Sequence, residues 1–379
     1  MRIAFLYGGF SLGSRPLDLD NLYTSPRGLT GSELSCIEYA RAMQARGHSV
    51  TLVVGQSDIG PRNWNGIEVW PLRDPKVVAG CDVVYSWNEP DLLREIPAGP
   101  LRIVNQQLND FAYCRAGWEE HVDLVTSPSA HHLEFLKLQA PGVRAWDVLP
   151  NGCDPTQYRQ TERIPGRVIW ASSADRGLHR LLELWPTIKA RVPHASLKCF
   201  YNFQSAPFDE YEQPGPHVHT DLLEIAQRKR YIQHAMSRLV GSRWDVEHVG
   251  SVSRERMARE FEQAEVLAYA CETIRYTEGF SVTTMEACAS GCLPITTDID
   301  ALGQIYRSAV PQVPLNGQSF TSEGLRQFAD LVVRGLTDEA WRQENTAKCR
   351  ALAEKHAWPA LAERLEKMLG EAKIFDIAV

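Results

Sequence analysis

The stretch from Glu265 to Asp298 reads EVLAYACETIRYTEGFSVTTMEACASGCLPITTD, and its reading decides the fold. Val266 to Ala270 is a short apolar run with the length and composition of a buried strand, and Leu293 to Thr297 is another. Between them Ser281 is placed to cap a short helix, Val282 to Ser290, that Gly291 ends. Strand, loop, helix, glycine, strand is a βαβ unit, so the strands are expected to lie parallel with a right-handed crossover. Ligands of such sheets bind beyond the carboxyl ends of the strands, where the loop Cys271 to Phe280 falls.

Two glutamates mark this region. Glu278 lies just before the helix and Glu286 inside it, eight positions on. Val282 to Glu286 covers about 6 Å of helix axis at ~1.5 Å per residue. Gly279 allows close backbone approach, and the free N–H groups of a helix start suit an anion. A glutamate beside a phosphate cradle is unfavourable unless it has donors to accept, and sugar and ribose hydroxyls are such donors. The residues therefore read as a phosphate at the helix start with a carboxylate on each side gripping a polyol. The plain alternative is a chance pair of glutamates. Gly279-Phe280-Ser281 between them and the run Ala287 to Ile295 after them weigh against it.

With these residues the stretch resembles the nucleotide-sugar site of retaining glycosyltransferases of the GT-B fold, in particular glycosyltransferase family 4. That family carries two glutamates at this spacing, the first followed by Gly-Phe or Phe-Gly, then a small-residue helix, Gly, Pro and a strand.

Composition bounds the rest. A chain of 379 residues is expected to form two domains, or three, and its 44% hydrophobic and 23% charged content is ordinary for a globular protein. A net charge of −7 gives no global pull toward nucleic acid or an anionic membrane. No mainly apolar run reaches the length of a membrane span, and MRIAFLYGGF reads as a first strand rather than a signal peptide. Nine cysteines without CxxC spacing are expected to be reduced thiols in a cytoplasm. Cys288 and Cys292 have no second pair to support zinc and read as buried structural thiols. Asp18-Leu19-Asp20 and Asp298-Ile299-Asp300 look like the metal-binding triplet of another glycosyltransferase fold, but such triplets are common by chance, and no metal or other cofactor is expected.

In chain order, Arg2 to Tyr7 is a strand and Gly8-Gly9 opens a long loop. Ser32 reads as the cap of a helix carrying Leu34, Ile37 and Met43 on one face, with Gly47 ending it and Ser49 to Val54 as the next strand. Gly31 sits at that helix start. It is either part of an ordinary cap or, as the resemblance implies, a place where backbone approaches the donor diphosphate. Further strands are Ile67 to Trp70, Asp82 to Ser86, Leu101 to Val104 and Asp123 to Ser127, the alternation of a doubly wound domain. After Val104, Asn109-Asp110 stands where many family members place a His facing the acceptor. Asp110 reads as a carboxylate that accepts the acceptor's proton or steadies developing positive charge, or as a turn residue. His131 and His132 read as surface or packing residues.

Pro150-Asn151-Gly152 is turn chemistry that ends the first domain, and the family has a similar hinge. The second begins with the strand Arg167 to Ala171 and a helix with Leu178, Leu181, Leu182 and Trp185 on one face. Arg176, ahead of that helix, reads as a solvated cap residue or as a cation for diphosphate, where the family usually has Lys. The upstream Arg of the family is replaced by Ala171, Ser172 and Ser173. Ser196 to Tyr201 is a strand, Phe208 to His219 a surface loop and Asp221 to Val240 a long amphipathic helix. Its cluster of Arg228, Lys229, Arg230, Arg238 and Arg243 reads as a solvated face, with contact to an anionic acceptor or lipid surface as the alternative. Val246 to Val249 is a strand, and the resemblance puts the nucleobase after it, at Ser251 and Val252. Helices follow near 322–334 and 338–355, and the last, Trp-led helix resembles the one that crosses back to the first domain in the GT-B fold.

The expected architecture is two Rossmann-like α/β domains facing across a cleft: 1–155 on the acceptor side, with helix 357–379 packing back on it, and 166–356 for the nucleotide sugar. The resemblance implies transfer of a hexose from a nucleotide diphosphate sugar, UDP first and GDP next, to an acceptor hydroxyl of a sugar, glycan or other molecule, with retention. Glu278 and the backbone of Gly279, Phe280 and Ser281 would hold the donor sugar. Val282, Thr283, Arg176 and Gly31 would meet the diphosphate, and Glu286 the ribose. Two other classes remain: a GT-B sugar-nucleotide epimerase or disaccharide phosphorylase, and a non-catalytic nucleotide-sugar-binding protein.

Overall fold

The structure, a computed structural model, describes residues 1–8, 18–55, 61–71, 75–159, 161–201, 220–274 and 278–376. The expected surface loop Phe208 to His219 lies outside them. The chain divides into two compact units: Met1–Leu22 with Leu29–Gly152 and His356–Val379, and Tyr23–Gly28 with Cys153–Lys355.

In the first unit β1 (Arg2–Tyr7), α1 (Gly31–Ala45), β2 (Ser49–Val54), β3 (Arg62–Trp64), β4 (Ile67–Pro71), β5 (Val83–Trp87), β6 (Leu101–Asn105), β7 (Leu124–Ser127), α2 (Ala130–Lys137) and β8 (Trp146–Val148) follow one another. The sheet order is β3-β4-β2-β1-β5-β6-β7-β8, parallel except for the β3–β4 pair. Strands such as β1 and β5 are apolar along nearly their whole length because helices and loops cover both faces of a parallel sheet. The cap of α1 differs from the sequence reading. Thr30, not Ser32, caps it: Glu33 N donates to the Thr30 hydroxyl at 3.2 Å and Thr30 N to Glu33 Oε2 at 2.7 Å. A Thr-x-x-Glu box satisfies two orphan N–H groups at once, which a lone Ser32 does not.

The second unit runs β9 (Arg167–Trp170), α3 (Leu178–Arg191), β10 (Ser196–Phe200), α4 (Thr220–Leu239), β11 (Val246–Gly250), α5 (Arg254–Gln263), β12 (Val266–Tyr269), α6 (Val282–Ser290), β13 (Leu293–Thr297), α7 (Asp300–Ile305), β14 (Gln312–Val313), α8 (Ser322–Thr337) and α9 (Glu339–Lys355). Its sheet, β11-β10-β9-β12-β13-β14, is parallel throughout. Val168, Trp170, Leu267 and Ile295 from the strands meet Leu178, Leu181, Leu182 and Trp185 of α3 in its core. The last helix, α10 (Trp358–Asp376), belongs to the first unit, where Trp358 meets Tyr39 of α1 edge to face. Among the described residues no helix is long and apolar enough to cross a membrane.

The basic cluster of α4 is not a uniformly solvated face. Arg228 and Lys229 are buried, and Arg228 donates to the backbone carbonyls of Asp175 and Glu272. A guanidinium has five donors to satisfy, and two strand-end carbonyls draw it inward.

Candidate functional site

The strand order of the second unit places the carboxyl ends of β9 and β12 side by side at the point where the winding reverses, the position at which open α/β sheets bind ligands. The loop after β9 makes a short turn, Ala174–Arg176, and reaches α3 through Gly177 at φ 119°. A Cβ on Gly177 would lie 2.0 Å from the Ala270 carbonyl oxygen, so glycine is what lets the two loops meet. Glu272 N then donates to Arg176 O at 3.0 Å.

This approach brings Arg176 to Glu278. Arg176 Nη1 donates to Glu278 Oε2 at 3.0 Å, and the Tyr269 hydroxyl donates to the same oxygen. The Glu278 side chain is 4% exposed and that of Arg176 32%. Burial opposes the Arg176 charge, but the carboxylate outweighs it and the guanidinium's pKa lies well above its usual value. The backbone of Glu278 is fixed as well: its N–H donates to Asp300 Oδ2 at 3.2 Å and its carbonyl accepts from Ala301 N at 3.2 Å. Glu278 Oε1 accepts no hydrogen bond among the described residues and is the oxygen left for a ligand's hydroxyl.

Helix α6 begins as its sequence implies. Ser281 caps it through Thr284 N and Gly291 closes it at φ 75°. Ser281 itself has φ 67°, a costly conformation for a residue with a Cβ, held by the Tyr306 hydroxyl on its carbonyl at 2.9 Å. Phe280 is buried against Tyr306, so its backbone but not its ring faces the loop. Val282 and Thr283 offer first-turn N–H groups with no intrahelical acceptor. The Thr283 side chain is already used: its hydroxyl donates to Ala171 O at 2.7 Å, tying α6 to the end of β9. Glu286 is buried and paired with Arg254 Nη2. Arg254 opens α5 directly after the Ser253 cap, which follows Ser251 and Val252. The expected ribose carboxylate is thus paired with an arginine that lies shortly after the expected nucleobase residues in the chain and that the sequence reading does not single out. Ser251 is exposed and Val252 half-buried.

Other residues missed in the sequence support this site. Asp300, half of a discounted triplet, takes the Thr273 hydroxyl at 3.0 Å besides Glu278 N. Its partner Asp298 accepts from Leu315 N, while Asp18 caps Asn21 and Asp20 pairs with Arg62. Glu272, nearly inaccessible, is a hub: it accepts from Arg180 at 3.0 and 3.1 Å, from Arg228 at 3.4 Å and from Phe320 N at 3.0 Å, and faces His179 Nε2 at 3.4 Å. Burial opposes its charge, but these donors hold its pKa down at about 2. The signal was present as a Glu at a strand end with arginines at 180 and 228, but no local spacing links them.

Two site residues of the sequence reading lie in the first unit. Gly31 is the first residue of α1. Asp110 is exposed and accepts from Ala112 N at 3.0 Å, closing its own turn. His131 is exposed, whereas His132 is fully buried on α2.

Residues 224–356 match the family described as Glycosyl transferases group 1, a segment that holds Arg228, Arg254, Glu272, Glu278 and Glu286. Sucrose-phosphate synthase from Thermosynechococcus elongatus is similar in structure at 14% identity and TM-score 0.67, over 99% of this chain and 99% of that one. The trehalose-6-phosphate synthase OtsA follows at 10% identity and TM-score 0.69, over 98% and 99%. Anabaena HepE, solved with UDP-glucose, follows at 13% identity and TM-score 0.63, over 98% and 100%. Among curated proteins none matches the chain in sequence. At these identities the solved structures speak for the fold. Two doubly wound parallel-sheet units and the matched segment together support a glycosyltransferase of the GT-B fold.

Proposed function

We propose that the chain is a retaining hexosyltransferase that takes its sugar from a nucleotide diphosphate sugar and passes it to an acceptor hydroxyl. The observation that carries this is the start of α6: a helix N-terminus at the switch point of a parallel sheet, with a buried carboxylate on each side of it. The diphosphate would sit on the Val282 and Thr283 N–H groups, where the helix dipole favours an anion. Glu278 Oε1, with the backbone of Gly279, Phe280 and Ser281, would take the hydroxyls of the donor sugar. Glu286, oriented by Arg254, would take the ribose, and the Ser251–Val252 loop the base. Arg176 would share itself between Glu278 and the leaving diphosphate. That charge stabilisation is the main catalytic contribution of these residues and needs no divalent metal. HepE carries UDP-glucose, which favours UDP over GDP as the base. The nine unbridged cysteines fit a reducing cytoplasm.

The test is a thermal-shift and calorimetric screen of UDP, GDP, ADP and TDP and their sugar conjugates, in EDTA. One of them raises the melting temperature, and its sugar conjugate, incubated with a panel of sugar acceptors, gives a product whose anomeric proton keeps the donor's configuration. Absence of binding by every nucleotide at millimolar concentration refutes the reading, and an inverted product refutes retention.

A further inference from the structure

Glu278 Oε2 has two protein donors of different character. Arg176 is long and about one-third exposed. Tyr269 is 1% exposed at the carboxyl end of β12, its ring edge-on to Trp170 of the neighbouring β9 with centroids 5.2 Å apart. The tyrosine hydroxyl is gripped on both sides. Ser172 Oγ donates to it at 3.1 Å, and it donates to Glu278. Ser172 is itself fixed, because the Trp170 indole N–H donates to its carbonyl at 2.9 Å. With one donor behind it and one acceptor ahead, the phenol proton has a single direction. Burial, seconded by Cys271 and Glu278, keeps that phenol protonated far above neutral pH.

From this geometry we infer that Tyr269 is the positioning residue that holds Glu278 for the donor sugar while Arg176 turns to the diphosphate. The inference rests on the donor-site reading above. A diphosphate at the start of α6 competes with Glu278 for Arg176. Were Arg176 the sole support, binding the phosphate would release the carboxylate that must grip the sugar. Tyr269 cannot move without unpacking Trp170, so Oε2 stays anchored and Oε1 stays presented. Ser172 lies in the stretch Ala171 to Ser173, the neighbourhood in which the family resemblance implies a second phosphate-binding arginine. A short hydroxyl there braces the tyrosine instead, and the sugar grip becomes independent of the phosphate grip.

The experiment is isothermal titration of the full chain with UDP and UDP-glucose, and with GDP and GDP-mannose in parallel, for wild type, Tyr269→Phe, Ser172→Ala and Arg176→Ala. Tyr269→Phe keeps the ring on Trp170 and is expected to weaken the nucleotide sugar about tenfold, the order of one hydrogen bond to a charged group. Its affinity for the nucleoside diphosphate stays within about twofold of wild type, since the Tyr269 hydroxyl donates to Glu278 and not to the helix start. Ser172→Ala moves in the same direction by less, and decides the matter if Tyr269→Phe fails to fold. Arg176→Ala shows the opposite split, losing nucleoside diphosphate affinity. Equal weakening of both ligands by Tyr269→Phe, or no change in either, overturns the inference while leaving the donor site standing. Failure of wild type to bind any of these four ligands, and ADP, TDP and their sugar conjugates as well, overturns the donor site and the inference together.

Discussion

Replacing Glu272 by Gln removes one charge and almost no volume from the hub that joins the loop after β12 to α3 and α4. The folded carboxyl has a pKa of about 2 against an ordinary 4.5, through His179, Arg180 and the Phe320 N–H acting against burial. At 1.36 kcal/mol per unit, the charged form contributes about 3 kcal/mol to the stability of the second unit. The side chain is 3% exposed. The folded pKa lies below the unfolded one. The contribution is therefore complete above pH 4.5 and is lost as pH falls through about 2. His179 adds to the same slope: burial lowers its pKa, so its protonation below its usual 6.5 also opposes folding. Arg180 retains Glu183, and Arg228 retains Glu224, so the variant does not strand either cation. Calorimetry at pH 7 is expected to show the Glu272→Gln second unit melting roughly 6–12 °C lower, at 2–4 °C per kcal/mol for a unit of this size. At pH 3 the gap shrinks to about 1.4 kcal/mol, because the wild-type carboxylate is then giving up its advantage. Equal melting temperatures at pH 7, or a gap that persists unchanged to pH 3, would refute the hub as an electrostatic one.

Other perturbations bear on separate parts of the molecule. His132 is fully buried and its pKa is driven down to about 4, chiefly by burial, so the first unit loses about 2 kcal/mol between pH 7 and pH 5 as the unfolded imidazole charges; His132→Leu removes that slope, read from amide exchange of β6 and β7. Glu286→Ala weakens the bound nucleotide about tenfold or more and erases its preference over the 2′,3′-dideoxy analogue, whereas a loss that is equal for both analogues points to a packing role. Gly177→Ala costs roughly 2–5 kcal/mol from left-handed backbone strain and the clash with Ala270 O, and a melting temperature within a degree of wild type would show that the two loops do not meet.

Much of the fold was legible because parallel strands are buried on both faces and announce themselves as apolar runs. β13 falls at Leu293–Thr297 as read, and most other strands within a residue or two. The short edge strands β3, β8 and β14 escaped notice: with three, three and two residues they carry no periodicity. Helix α5 was overlooked for another reason. Its sequence RERMAREFEQ is mostly charged, and only packing reveals that Phe261 is its buried anchor. At the site, local chemistry was readable and long-range chemistry was not. Ser281 as cap, Gly291 as stop, Glu278 before α6 and Glu286 within it follow from residues close in sequence. The partners of those glutamates do not. Arg176 lies 102 positions from Glu278, and Arg254 lies 32 from Glu286. Such pairings are set by strand order, which brings β9 beside β12 only when the sheet is assembled.

That separation also explains why both glutamates tolerate burial. A buried carboxylate without partners is expensive and is avoided by protonation or by pairing. Here each is paired through one oxygen: Glu278 Oε2 with Arg176 and Tyr269, Glu286 Oε1 with Arg254. One donor set per carboxylate offsets the desolvation of the charge, and a carboxylate has about four acceptor positions, so lone pairs remain for hydroxyls. A polyol is a ligand that such half-satisfied carboxylates favour over water, since its hydroxyls arrive in fixed positions. A second cation on Glu278 would satisfy the carboxylate and remove that preference. On the proposal above Ser172 bears on sugar affinity through Tyr269 and not on phosphate affinity, and the two are separable by the pair of ligands used to test Tyr269.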